Sequence, residues 1–242
     1  MAKLRFTPSV IPNLFTAANM FCGFLSIVNT SQQKYFYAAW LIIIAAIFDA
    51  LDGFMARLTK SSSELGVELD SLSDVVSFGT APAFLIYSIY LFQYEVWGIL
   101  ISSLLLLTGG FRLARFNVQL TGFDKKFFKG LPIPTAAIVL ISFMLTFYQD
   151  GIGFPEFYAK MIIPLVLLLS LLMVSKIKYD TLPSISVKGF KEKPAASSFV
   201  IVGLIALIAT KGKALFYIFA IILLFGILRH VYYLLLQRKT KF

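Results

Sequence analysis

The chain has 242 residues, 59% of them hydrophobic and 16% aromatic, and a mean hydropathy of +0.84. An apolar share this far above the roughly 45–50% of soluble domains excludes a water-soluble globule and makes this an integral membrane protein. The net charge of +10 leaves nucleic acid open as a partner until the charges are placed, and the single cysteine, Cys22, excludes an intramolecular disulfide and a cysteine-based metal cluster.

A membrane-crossing helix needs about 20 apolar residues to span ~30 Å of hydrocarbon. The first such run, about 12–29, follows Lys3 and Arg5. It is expected to be a retained helix, because no small-residue cleavage site stands out and more spans follow. Its opening, "IPNLFTAANMFCG", is polar for a span, with Asn13, Thr16 and Asn19. Hydrogen bonding between helices is the plain explanation of such residues in lipid. The second run, 35–57, ends in Asp49, Asp52, Gly53, Ala56 and Arg57, and the third, 71–92, follows Gly66 and Asp70 and contains Asp74. The fourth, 96–117, carries the close-packing pair Gly109-Gly110 and ends in Arg112, Arg115 and Asn117. A lysine-bearing segment, 116–130, leads to further runs at 131–149, 157–175, 195–210 and 213–236. Lys160 and Pro164 in the sixth and the shortness of the seventh leave six or seven spans open beside the expected eight. The polar stretch 176–194, with its two prolines and five lysines, is too short to fold alone. Residues 1–242 are therefore expected to form one domain, an all-α polytopic membrane bundle. His230, near the end of the last run, receives no catalytic role.

With eight spans, 18 of the 22 lysines and arginines fall on one face of the membrane and only Lys34, Lys160, Lys211 and Lys213 on the other. This positive-inside asymmetry puts both termini and the aspartates on the cytoplasmic side and suits a bacterial or archaeal cytoplasmic membrane. It accounts for the basic surplus by topology and by contact with anionic headgroups or a phosphate-bearing substrate, without nucleic acid.

The stretch "DALDGFMARLTKSSSELGVELDSLSD", residues 49–74, is the most informative. Asp49, Asp52, Gly53 and Ala56 share one face of the second helix, at i, i+3, i+4 and i+7. Gly66, Asp70 and Asp74 align at i, i+4 and i+8 on the third. The connector, about 58–65, is short enough to force antiparallel neighbours, so the two acidic stripes can meet. Four ionised carboxylates in one pocket would repel one another, and one or two divalent cations remove that repulsion. All-oxygen donors suit Mg²⁺, Mn²⁺ or Ca²⁺, and no histidine or cysteine lies nearby to favour zinc. Acids merely solvated at a helix end would explain one or two of the four, but acids in a membrane span mark a functional site by default. Small residues beside them admit a flat ligand, and Arg57 can supply a positive fork for a phosphate. Metals, room and an arginine suit phosphoryl transfer.

The eight positions Asp49, Asp52, Gly53, Ala56, Arg57, Gly66, Asp70 and Asp74 with their fixed gaps resemble the full signature of the CDP-alcohol phosphotransferase family. The resemblance implies a six-helix membrane core, here with C-terminal helices added, and an enzyme that moves a phosphatidyl-type group from a CDP-linked donor to an alcohol. It implies two cations, Mg²⁺ or Mn²⁺, held by Asp49, Asp52, Asp70 and Asp74, with Asp74 also the general base. It implies CDP contacts from Asp52, Gly53, Ala56, Arg57 and Gly66, joined by Asn13 or Thr16 of a first helix that looks like the family's own. A homodimer is expected on the same ground.

The signature fixes the donor and leaves the acceptor open. "GGFRLARFN" at 109–117 and "FFKGLPIPTAA" at 127–137 resemble the branch of the family that uses L-serine, whose carboxylate an arginine pair can bind. Arg112, Arg115 and Asn117 are the expected serine site, against the plainer role of positive-inside anchors. CDP-diacylglycerol and L-serine are thus the expected substrates. Glycerol 3-phosphate or inositol phosphate as acceptor, a divalent-cation transporter and a non-catalytic scaffold are the alternatives.

Overall fold

The computed structural model describes residues 10–59, 63–120, 130–175, 177 and 214–239. The expected seventh run, 195–210, lies outside them. The described residues form α1 (Val10–Ser31), α2 (Tyr35–Thr59), α3 (Glu64–Asp74), α4 (Ala81–Ile89), α5 (Glu95–Leu120), α6 (Ile133–Phe147), α7 (Glu156–Val174) and α8 (Ala214–Lys239). A six-residue π-helical segment, Val75–Thr80, joins α3 to α4, so that Glu64–Ile89 runs as one span, and a short 3₁₀ turn, Leu91–Tyr94, precedes α5. Five helices are long and apolar enough to cross a membrane, and α6 and the first half of α8 are shorter apolar helices. The architecture is an all-helical, multi-pass membrane bundle.

Its polarity is arranged for lipid. On α2, Tyr37, Trp40, Ile44, Ile47, Leu51, Phe54 and Leu58 are all exposed and recur at helical spacing, which makes one continuous apolar stripe. The opposite stripe is buried and made of small residues and an acid: Ala38, Ile42, Ala45 and Asp52. Lacking a hydrophobic drive to associate in lipid, helices pack through small residues and hydrogen bonds. The α1–α2 hairpin does so, with Ser26 Oγ donating to the Ala38 carbonyl at 2.9 Å. Gly23 on α1 lies so close to Ser77 that any Cβ there would collide with it.

The third helix starts earlier than the apolar run that announced it. Ser63 caps α3, its Oγ accepting from the Gly66 N–H at 3.0 Å, and Glu64 sits in the first turn where the helix dipole favours an acid. Gly66 and Asp70 therefore stand within the helix itself. The π-helical widening lies just ahead of Pro82, which has no N–H to give and whose ring crowds the preceding turn.

At the end remote from the aspartates, aromatic rings knit the helices together. Phe147 stacks on Tyr158 at 3.9 Å, and Phe216 of α8 lies 5.3 Å from Phe143 and 5.5 Å from Phe147. Lys160 is accommodated near the start of α7 by pairing with Glu156, one turn away. Pro164 leaves α7 unbroken from Glu156 to Val174. At the aspartate end, Gly130, at φ +90°, lets the segment before α6 lie against the Met173 carbonyl, and Leu131 N–H donates to the Leu172 carbonyl at 3.0 Å.

Candidate active site

The antiparallel register of α1 and α2 is pinned near the site by Thr16, whose Oγ1 donates to Asp52 Oδ2 at 2.9 Å. α3 is fastened to α1 by two serines. Ser73 Oγ donates to the Thr16 carbonyl at 3.1 Å and Ser77 Oγ to the Asn19 carbonyl at 2.9 Å. These ties bring the acidic stripes of α2 and α3 together. Carboxylate oxygens of Asp49, Asp70 and Asp74 all lie within 4.8 Å of one another. Asp52 stands beside this trio, held by Thr16, and is buried like Asp74.

Two oxygens of the cluster, Asp70 Oδ1 and Asp74 Oδ1, are buried without a hydrogen-bond partner. Buried polar atoms are otherwise almost always paired, because desolvating them unpaired is costly. An all-oxygen, negatively charged donor set with unpartnered lone pairs fits a hard divalent cation. The cluster can hold metal ions.

Next to it opens a cleft of about 120 Å³ lined by Pro12, Asn13, Thr16, Asp52, Gly53, Ala56, Ser63, Gly66, Val67 and Asp70. Six of the expected CDP residues, Asn13, Thr16, Asp52, Gly53, Ala56 and Gly66, thus share one wall system. A Cβ on Gly66 would sit 3.1 Å from Ser63 Oγ and 3.4 Å from Asn13 Oδ1, so glycine keeps that wall low. Arg57 lies on the same helix, its Nη1 3.6 Å from where a Gly53 Cβ would be, beside the cleft rather than among its lining residues.

The three α5 residues expected to bind the acceptor diverge. Arg112 is buried, with Nε unpaired, and interacts electrostatically with Asp74. Asn117 Nδ2 donates to Ser71 Oγ at 3.0 Å and its Oδ1 is buried without a partner. Arg115 instead donates from Nη1 to the Val174 carbonyl at 3.0 Å, at the C-terminus of α7, where a cation meets the negative helix end. Arg112 and Asn117 face α3; Arg115 fastens α5 to α7.

Sequence patterning passed over Ser63, Ser73 and Ser77. Ser63 was legible as a cap, since a serine directly before an acidic first turn is a helix-start signal. Ser73 and Ser77 carried no such signal, because their role depends on which helix lies opposite.

The model of the CDP-alcohol phosphatidyltransferase family matches residues 9–175. The chain belongs to this family. It is 35% identical over 225 residues to the CDP-diacylglycerol–serine O-phosphatidyltransferase of Helicobacter pylori strain J99, covering 92% of each chain. It is 41% identical over 172 residues to the archaetidylserine synthase of Methanothermobacter thermautotrophicus, covering 70% of this chain and 71% of that one. The fold resembles that of the Mycobacterium tuberculosis phosphatidylinositol phosphate synthase with CDP-DAG bound, with a TM-score of 0.52 at 21% identity, over 71% of this chain and 83% of that chain. The matched span, 9–175, contains the carboxylate cluster, the cleft and the α5 residues, whereas α8 lies beyond it.

Proposed function

We propose that the chain transfers the phosphatidyl group of CDP-diacylglycerol to the hydroxyl of L-serine, giving phosphatidylserine and CMP. The observation that carries this is the junction of the Asp49, Asp70 and Asp74 cluster with the adjoining cleft, in a chain whose full-length relative bears the name of that reaction.

Asp49, Asp52, Asp70 and Asp74 would hold two divalent cations, Mg²⁺ or Mn²⁺. Bound there, such cations neutralise the diphosphate and polarise the phosphorus under attack. Asn13, Thr16, Asp52, Gly53, Ala56 and Gly66 bind the CDP moiety in the cleft, and Arg57 meets its phosphates from the side. Thr16 holds Asp52 in one orientation. The serine hydroxyl oxygen attacks the lipid-bearing phosphorus, the bond to the bridging oxygen breaks, CMP departs with that oxygen, and Asp74 accepts the hydroxyl proton. Arg112, buried on α5 within electrostatic range of Asp74, receives the serine carboxylate with help from Asn117. Arg115 supports that pocket by fixing α5 to α7.

We further propose that the reaction runs on the cytoplasmic face of the cell membrane, in a homodimer whose protomers each comprise one domain, 1–242. Positive-inside charge supports the orientation, and the exposed apolar stripes support contact with lipid.

The mechanism is tested with L-serine carrying ¹⁸O in its hydroxyl. Mass spectrometry is expected to find the label in the phospholipid phosphate ester and none in CMP. Label in CMP, or phospholipid without label, would contradict attack by serine oxygen on the lipid-bearing phosphorus.

A further inference from the structure

Asn19 is completely buried in α1, and neither Nδ2 nor Oδ1 of its carboxamide has a hydrogen-bond partner. An amide in lipid normally serves to hydrogen-bond a neighbouring helix. This one does not, and it carries the desolvation cost of two unpaired polar atoms.

Register shows what lies level with it. Thr16 meets Asp52 across the α1–α2 contact, and Ser26 meets Ala38, so the two helices run antiparallel. Asn19 is one turn deeper than Thr16, and Asp49 is one turn deeper than Asp52 on the facing helix. From the third side, Ser77, three residues after Asp74, donates to the Asn19 carbonyl, and Gly23 allows that close approach. Asn19 is therefore fixed at the depth of the carboxylate cluster by the same helix that presents Asp74. At that depth Asp74 Oδ1 is also unpartnered, and so is Asp70 Oδ1, one turn shallower on the same helix. The unpaired set thus contains an amide donor, an amide acceptor and two carboxylate acceptors.

From this we infer that Asn19 is a positioning residue of the metal centre, its carboxamide hydrogen-bonding a water bound to the cation. This inference rests on the cluster's holding a divalent cation. The water would donate to Oδ1, and a second water would accept from Nδ2 and donate to a carboxylate oxygen, so that the atoms unpaired in the protein alone are satisfied together. Groups that orient metal ligands in this way typically change metal affinity about 10–100-fold when removed.

The test is Mn²⁺ binding to the full-length protein in detergent, followed by electron paramagnetic resonance without nucleotide, beside thermal unfolding in chelator. Asn19→Leu is expected to weaken Mn²⁺ binding by about 10–100-fold while leaving metal-free stability equal to or above wild type. Asn19→Ser, which keeps a hydroxyl, is expected to fall between the two, and it carries the comparison if the leucine variant does not fold. Asp70→Asn serves as the control for the centre itself. If wild type binds Mn²⁺, Asp70→Asn does not, and both Asn19 variants bind within twofold of wild type, the metal centre stands and this inference fails. Unchanged binding with lower metal-free stability would assign Asn19 to packing instead. A wild type that binds no Mn²⁺ overturns both.

Discussion

Asp52 shows how the site is built residue by residue. The acid is buried and directed by one hydroxyl, Thr16 Oγ1, from the neighbouring helix. A hydrogen bond to a charged group is worth about 1.5–3 kcal/mol. Thr16→Val keeps the shape and removes that bond. It is expected to lower kcat/KM for CDP-diacylglycerol by about 10–100-fold, since each 1.4 kcal/mol is tenfold, with a lower thermal midpoint as well because the buried Asp52 Oδ2 loses this partner. Steady-state kinetics with varied CDP-diacylglycerol check this, and a variant within twofold of wild type would remove Thr16 from the site. The aspartates themselves were legible in the sequence because helical spacing alone puts Asp49 with Asp52 and Asp70 with Asp74. The finer division, with Asp49, Asp70 and Asp74 clustered and Asp52 held apart by Thr16, was not. It depends on the rotation of α2 against two neighbours, which no single-helix pattern contains. Arg115 illustrates the same limit: one turn from Arg112 in sequence, it is drawn to the carbonyl at the end of α7.

Among the helices, the contact of α1 with the α3–α4 span decides whether the acidic stripes face each other. Ser73 and Ser77 reach across to α1 carbonyls only because Gly23 admits the backbone of Ser77. Gly23→Val inserts a branched side chain into that contact. Overpacking of this kind costs about 1–3 kcal/mol. The expected outcome is a lower unfolding midpoint together with weaker Mn²⁺ binding, measured on the same detergent preparation. Unaltered stability would show that α1 and α3 are not closely apposed in the membrane. The helices were announced by their apolar runs, and the sixth held despite Lys160 and Pro164. Lys160 finds Glu156 one turn back, and the helix passes Pro164 without a break. What hydropathy could not show is that the third helix begins at Glu64, because its first two turns mix Leu65, Val67 and Leu69 with three acids, Glu64, Glu68 and Asp70, and are opened by the Ser63 cap. The π-helical segment after Asp74 was equally hidden, since its wide turn reflects backbone accommodation ahead of Pro82 rather than any side-chain pattern.

Taken whole, the molecule has two unlike ends. One carries the aspartates and the cleft, with Arg57, Arg112 and Arg115 near it; the other is closed by stacked aromatic rings. Positive-inside topology then predicts which end faces the cytoplasm. In a Cys22→Ala background, a membrane-impermeant maleimide is expected to label Lys34→Cys in intact cells and Leu58→Cys only after permeabilisation. The opposite pattern would reverse the orientation. The family and the donor were legible in the sequence from one eight-position signature, whereas the acceptor rested on the stretches 109–117 and 127–137, of which the structure keeps Asn117 in contact with α3 and Arg112 within electrostatic range of Asp74. The most direct measurement is therefore CMP release by the purified, detergent-solubilised protein. It is supplied with CDP-diacylglycerol, Mg²⁺ or Mn²⁺, and in turn L-serine, glycerol 3-phosphate or inositol phosphate. Release with L-serine alone is expected, abolished by chelator and reduced by at least about 10²–10⁴-fold in Asp74→Asn, the range of a lost general base. CMP formed with a phosphorylated acceptor instead of serine, or formed equally in the presence of chelator, would contradict the account.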